Sequence, residues 1–107
     1  LVQLFLQQGT NVNQVDRFGG TPLTYAVQTG NEELVSILIT QNADVNVRDV
    51  EGDTVLMYAV RKGTLPIVKA LLEAGADVKA KNFDAQSAID LAIGLEMEDL
   101  LGKYLNG

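Results

Sequence analysis

Histidine, cysteine and tryptophan are all missing from these 107 residues. Without cysteine there is no disulfide, no thiolate nucleophile and no sulfur-bound metal. Without histidine the chain lacks the commonest general base and the commonest metal ligand. The two serines, Ser36 and Ser87, then have no imidazole to activate them. Aromatic residues make up only 6% of the chain, so the core must be aliphatic. Positive charge is scarce, with 8 basic against 14 acidic residues and a net charge of −6. Nucleic acids and anionic membranes both need a positive face, so neither is expected as a partner. No run approaches the roughly 18 apolar residues of a membrane span, and no basic segment leads into an apolar one as in a signal peptide. No glycine-rich phosphate loop or calcium loop is present. No cofactor, metal or small-molecule substrate is expected, and the absence of cysteine is compatible with a cytoplasmic setting, which is the expected one.

What remains is a chain that is 47% hydrophobic and 21% charged, enough apolar surface to offset chain entropy in one folded domain. That surface is arranged as a repeat. A shift of 33 residues carries Asp16 onto Asp49, Gly19 onto Gly52, Thr21 onto Thr54, Leu23 onto Leu56 and Tyr25 onto Tyr58. It also carries Ala26-Val27 onto Ala59-Val60, Gly30 onto Gly63, Val35 onto Val68, Leu38 onto Leu71, and Ala43-Asp44-Val45 onto Ala76-Asp77-Val78. Upstream, Val2, Phe5, Leu6, Val12 and Asn13 continue the pattern, and downstream Asn82, Ser87, Ile89, Ala92 and Ile93 do so. The reading is a single domain over 1–107: a partial repeat at 1–15, repeats at 16–48 and 49–81, and a C-terminal capping repeat at 82–107.

Each unit reads as two short helices. Thr21 is a good N-cap followed by Pro22, and Leu23, Ala26 and Val27 share one face. Gly30 can end that helix in the left-handed conformation, and Asn31 can cap a second helix that presents Leu34, Val35, Leu38 and Ile39. In the next unit Thr64 is the cap, Pro66 fits the first turn, and Ile67, Val68, Leu71 and Leu72 form the stripe that Gly75 stops. Asp49-Val50-Glu51-Gly52 reads as a tight turn. A helix pair of this size cannot bury its own apolar stripe, so copies must stack. Ala26, Ala59 and Ala92 allow close approach between first helices. Leu1, Val2, Phe5 and Leu6 belong to a second helix lacking its first. Upstream sequence, or a contact with another molecule, is expected to cover them.

Gly20-Thr21-Pro22-Leu23-Thr24-Tyr25-Ala26 resembles the Thr-Pro-Leu-His-x-Ala signature of the ankyrin repeat family, and Glu73-Ala74-Gly75-Ala76-Asp77-Val78 resembles its Gly-Ala-Asp-Val-Asn ending. The resemblance covers essentially the whole chain. It implies an all-α solenoid of stacked helix–turn–helix units with β-turn or hairpin loops. The signature histidine, which in the family ties neighbouring loops together, is replaced by Thr24, Met57 and Asp90. Thr24 and Asp90 can partly substitute, whereas Met57 is not expected to.

The resemblance further implies a protein–protein interaction module without catalysis, binding along a concave face of loop tips and first helices. The alternative is a regulatory or targeting fragment of a larger enzyme. The tip positions are Arg17, Phe18 and Gly20, then Val50, Glu51 and Asp53, then Phe83, Asp84 and Gln86. The inner-helix positions are Gln28, Thr29, Arg61 and Lys62, with Arg48 and Lys81 at the repeat junctions. Several of these change character from unit to unit, as positions left free by the stack do.

Individual signals admit two readings each. Phe18 and Phe83 are either interface anchors or rings folded onto a neighbouring hairpin. Arg48, Arg61, Lys62 and Lys81 either form a basic patch or are neutralised by Asp49, Glu51 and Asp53, the second being preferred. Tyr25 and Tyr58 are read as rings stacked between repeats rather than as ligand contacts. Glu32-Glu33 and Glu96/Glu98/Asp99 are read as first-turn acids favoured by the helix dipole rather than as acid–base or metal-binding pairs.

Overall fold

The computed structural model of the chain describes residues 15–105 apart from Phe18 and Ile93. The partial repeat expected at 1–15 thus lies outside the described residues except for Val15, as does Phe18. Six helices are described: α1 (Pro22–Thr29), α2 (Glu32–Thr40), α3 (Val55–Lys62), α4 (Leu65–Glu73), α5 (Ala88–Leu91) and α6 (Leu95–Leu105). Among the described residues there is no β-strand, and one antiparallel bridge joins Arg48 to Thr54. No described helix is long and apolar enough to cross a membrane.

Local chemistry places the first helices. Thr21 Oγ1 accepts from the Thr24 N–H at 3.3 Å, and Thr24 Oγ1 accepts from the Thr21 N–H at 3.1 Å. This reciprocal box recurs at the other two first helices with different chemistry. Met57 Sδ accepts from the Thr54 N–H at 3.5 Å, and Asp90 Oδ2 accepts from the Ser87 N–H at 2.9 Å. The Met57 sulfur, fully buried, closes the local box, and this bond stays within its own unit, in line with the expectation that it does not tie neighbouring loops. The Ser87 backbone bond also holds the Asp90 carboxyl below its usual range.

Gly30 and Gly63 end α1 and α3 in the left-handed region at φ 73° and 78°. Asn31 then caps α2 by accepting from the Leu34 N–H at 3.1 Å, with Glu32 and Glu33 in the first turn. Thr64 occupies the matching place before α4, but its hydroxyl donates back to the Ala59 carbonyl at 3.4 Å instead of capping the helix.

The helices stack in two rows. The first helices α1, α3 and α5 pack in sequence, and the second helices α2, α4 and α6 pack behind them. Leu23, Val27, Val35 and Leu38 meet Leu56, Val60, Ile67, Val68 and Leu71, and the core closes on Ala88, Met97 and Leu101. Ala26 and Ala59 are fully covered where first helices touch, as their size requires. Each buried aliphatic side chain contributes about 1.5–3 kcal/mol, and an isolated helix pair would lose the part of that burial which the neighbouring pair supplies. The last pair departs from the repeat. α2 starts ten residues after α1, and α4 ten after α3, but α6 starts only seven after α5. Ala92 leaves the helical region (φ −67°, ψ 137°) and Gly94 turns at φ 94°, so the last first helix has lost about one turn.

Candidate functional site

Between helix pairs the chain makes hairpins that project from the stack. Three are described, at residues 16–20, 49–53 and 82–86. Each is closed by a backbone bond from its first N–H to its fifth carbonyl, at 2.9, 3.0 and 2.9 Å. The first residue also folds its side chain into the turn. Asp16 accepts from the Gly20 N–H, Asp49 from Glu51 and Asp53, and Asn82 from Asp84 and Gln86, all at 2.9–3.0 Å. The fourth position is left-handed each time: Gly19 at φ 80°, Gly52 at 79° and Ala85 at 62°. Glycine is required at the first two for a second reason. A Cβ on Gly19 would stand 2.8 Å from Asp49 Cα, and one on Gly52 would stand 2.7 Å from the Phe83 ring and 3.0 Å from the Phe83 nitrogen. Successive hairpins therefore lie directly on one another.

Tyr25 and Tyr58 brace the first two hairpins. The Tyr25 hydroxyl donates to Asp16 and the Tyr58 hydroxyl to Asp49. The reading of stacked rings between repeats is thereby corrected, since each phenol serves the hairpin of its own unit. Burial and the Asp49 bond push the Tyr58 hydroxyl pKa well up, and the Asp16 bond raises that of Tyr25.

The third hairpin is held differently, because Asn82 and Leu91 stand where the others have Asp and Tyr. Asn82 turns its amide back to the preceding hairpin and donates to Asp53 at 2.9 Å. Asp53 also receives both guanidinium arms of Arg61, at 3.0 and 3.1 Å. Burial alone raises the Asp53 carboxyl pKa, yet the bonds from Arg61 and Asn82 outweigh it and hold the group below its usual range. Arg61, raised by the same pairing, sits 5.9 Å over the Tyr58 ring.

The sequence candidates divide accordingly. Asp53 is only 8% exposed and its carboxylate is engaged inside the stack, which removes it from the tip surface. Arg61 is exposed but committed to Asp53, as the neutralised reading expected. Gln86 is half-buried and accepts from Asn82 at 3.3 Å. Arg48 lies at the hairpin base and donates to the Lys81 carbonyl at 2.8 Å. Lys62 lays its stem across Gly30, where an added Cβ would stand 2.8 Å from Cε. Arg17, Gln28, Thr29, Val50, Glu51, Lys81, Phe83 and Asp84 are exposed.

Phe83 rests on Gly52, as the folded-back reading expected, and still leaves 76% of its surface open. Val50, at the same position one unit earlier, is 59% open. Asn82 and the tyrosine–aspartate braces were not singled out; the paired change of Asp to Asn and Tyr to Leu in the last unit was their only trace. Exposed Leu95 was also missed. It borders a groove of about 450 Å³ with Gly63, Leu65, Gly94, Glu96 and Met97.

A family model described as ankyrin repeats (three copies) matches residues 1–82. Among solved structures, the chain is similar to the ankyrin repeat domain of Bcl-3, described as a unique member of the IkappaB protein family. The TM-score is 0.90 and the identity 32%, over 94% of this chain and 45% of that one. No curated protein sequence matches. The chain thus spans less than half the length of the solved structure that it resembles.

Proposed function

The chain belongs to the ankyrin repeat family, and on that premise we propose that it holds a partner protein along the flank formed by its hairpin tips and first helices. Ankyrin repeats are protein–protein interaction modules, a non-catalytic fold. The finer reading rests on one observation. At equivalent positions of successive hairpins the stack leaves Val50 and Phe83 more than half open to solvent, whereas the aliphatic side chains of the helices in the middle units are buried or half-buried. Apolar side chains presented on a rigid support are what interfaces use as anchors. Arg17, Glu51 and Asp84 on the tips, Gln28, Thr29 and Lys62 on the first helices, and Arg48 and Lys81 at the hairpin bases surround them as a polar rim. Asp53, Arg61 and Gln86 act behind this surface as supports. The last helix pair serves as the cap of the stack, and no chemistry is assigned to these residues.

Affinity capture tests this reading with the unaltered chain beside a Val50→Ala, Phe83→Ala variant. A prey retained by the first and lost by the second, with both folded, supports the tip surface. Retention of every prey by the variant places binding elsewhere.

A further inference from the structure

We propose that the Phe83 tip is a receptor for an arginine side chain on a basic, extended segment of the partner. The inference rests on the tip surface being the binding face and adds the chemistry of what it binds. Phe83 is unusual among exposed residues because it is already fixed. One side of its ring lies against Gly52, close enough to leave no room for a methyl group there, and its N–H donates to the Glu51 carbonyl at 3.2 Å. The ordering cost of an exposed aromatic has therefore been met by the fold, and its remaining surface, 76% open, is a preset platform.

Two carboxylates belong to the immediate neighbours of this contact, Glu51 before Gly52 and Asp84 after Phe83, and neither has a hydrogen-bond or salt-bridge partner among the described residues. The nearby acids are otherwise occupied: Asp49 by Tyr58, and Asp53 by Arg61 and Asn82. The cations of this region, Arg48 and Lys81, belong to the hairpin bases, where the Arg48 guanidinium is turned onto the Lys81 carbonyl. An aromatic face beside unengaged carboxylates matches a planar guanidinium, which stacks on the ring and bonds to a carboxylate. Val50 offers an apolar contact one hairpin back, along an extended segment. The net charge of −6 brings a basic segment toward this surface and repels an acidic one.

The test is an NMR titration of the whole chain, labelled with ¹⁵N, using the blocked peptide Gly-Arg-Leu-Arg-Gly. Its lysine and glutamate counterparts are run in parallel. The arginine peptide is expected to shift amides of residues 49–52 and 82–86 first. It should bind about three- to tenfold more weakly to Phe83→Ala and to the Glu51→Gln, Asp84→Asn pair. Phe83→Leu, which keeps a bulky apolar side chain over Gly52 but has no ring face, should fall with Phe83→Ala. Equal binding by Phe83→Leu, no advantage of arginine over lysine, or shifts centred on Glu96 and Glu98 would overturn the proposal. Preference for the glutamate peptide at the same hairpins would overturn it while leaving the tip surface standing. Shifts on the hairpins by none of the peptides, together with capture unaffected by Val50→Ala, Phe83→Ala, would remove both.

Discussion

Asp53 joins two hairpins and a helix through a single carboxylate. It receives Arg61 from α3 and Asn82 from the following hairpin, and it is almost wholly enclosed. Replacing it by alanine leaves the buried Asn82 amide with only its Gln86 bond, while exposed Arg61 can turn to water, and depriving a buried donor of its partner costs about 1–3 kcal/mol. Urea unfolding at neutral pH should therefore show a lower midpoint for Asp53→Ala with little change in slope. The same group gives a pH dependence. Its folded pKa is lowered, so its contribution is complete above the unfolded carboxylate value of about 3.9, and it is lost as pH falls through the still lower folded value. Stability measured from pH 6 down to pH 2.5 should fall less steeply in Asp53→Asn than in the unaltered chain.

Ala85 is the converse case, an alanine where the other two hairpins have glycine in the left-handed region. That conformation costs a non-glycine residue about 1–2 kcal/mol, partly offset by the greater entropy that glycine loses on folding. Ala85→Gly is expected to stabilise the chain by about 0.5–1 kcal/mol, a rise of a few degrees in melting temperature. Gly52→Ala should lower it by more than that, since strain and collision with Phe83 act together.

At the scale of the helix pair, most of the local design is legible in the sequence. Thr21, Pro22, Gly30, Asn31, Gly63 and the aliphatic stripes all act within a few residues of themselves, so their spacing states their role. The misread features depend on something distant. Thr64 has the right type and place for a cap, but its hydroxyl prefers a carbonyl of the preceding helix. Tyr25 and Tyr58 recur because of aspartates nine residues back, a separation that no helical or strand period exposes. Asp53 looks like any turn acid until the next hairpin is placed against it. The foreshortened α5 follows from Gly94 turning the chain early, and it gives the last pair the smallest share of first-helix packing. Amide exchange should accordingly be slowest in α3 and α4, covered on both sides, and fastest in α5 and α6. Leu56→Ala, at a site with no exposure in the middle of the stack, should cost about 2–5 kcal/mol. Equal protection of α3 and α5 would contradict this ordering.

Over the whole molecule, stacking explains why the fold was readable and the proposed binding surface only partly so. Translation by 33 residues constrains every position that touches its own copy, and those positions reveal themselves by recurring. Positions that face outward are released from that constraint, and their variation reads the same whether they serve a partner or nothing. Coordinates separate them by asking which are already engaged. Asp53 drops out of the surface, Arg61 and Gln86 are engaged within the stack, and Val50 and Phe83 remain open. The Val50→Ala, Phe83→Ala chain should thus melt within a few degrees of the unaltered one and yet lose its partner, a combination that surface positions away from caps and core permit.

The amide of Asn82 has a consequence for any attempt to lengthen the array. A tandem duplicate of residues 49–81 would follow the middle unit with its own first residue, an aspartate, in the place that Asn82 occupies. Two carboxylates would then confront each other where an amide now bridges, and Arg61 would have to serve both. The middle unit is therefore not its own ideal successor: the order of the copies is written into the junction, and an inserted module needs asparagine at its head to be accepted.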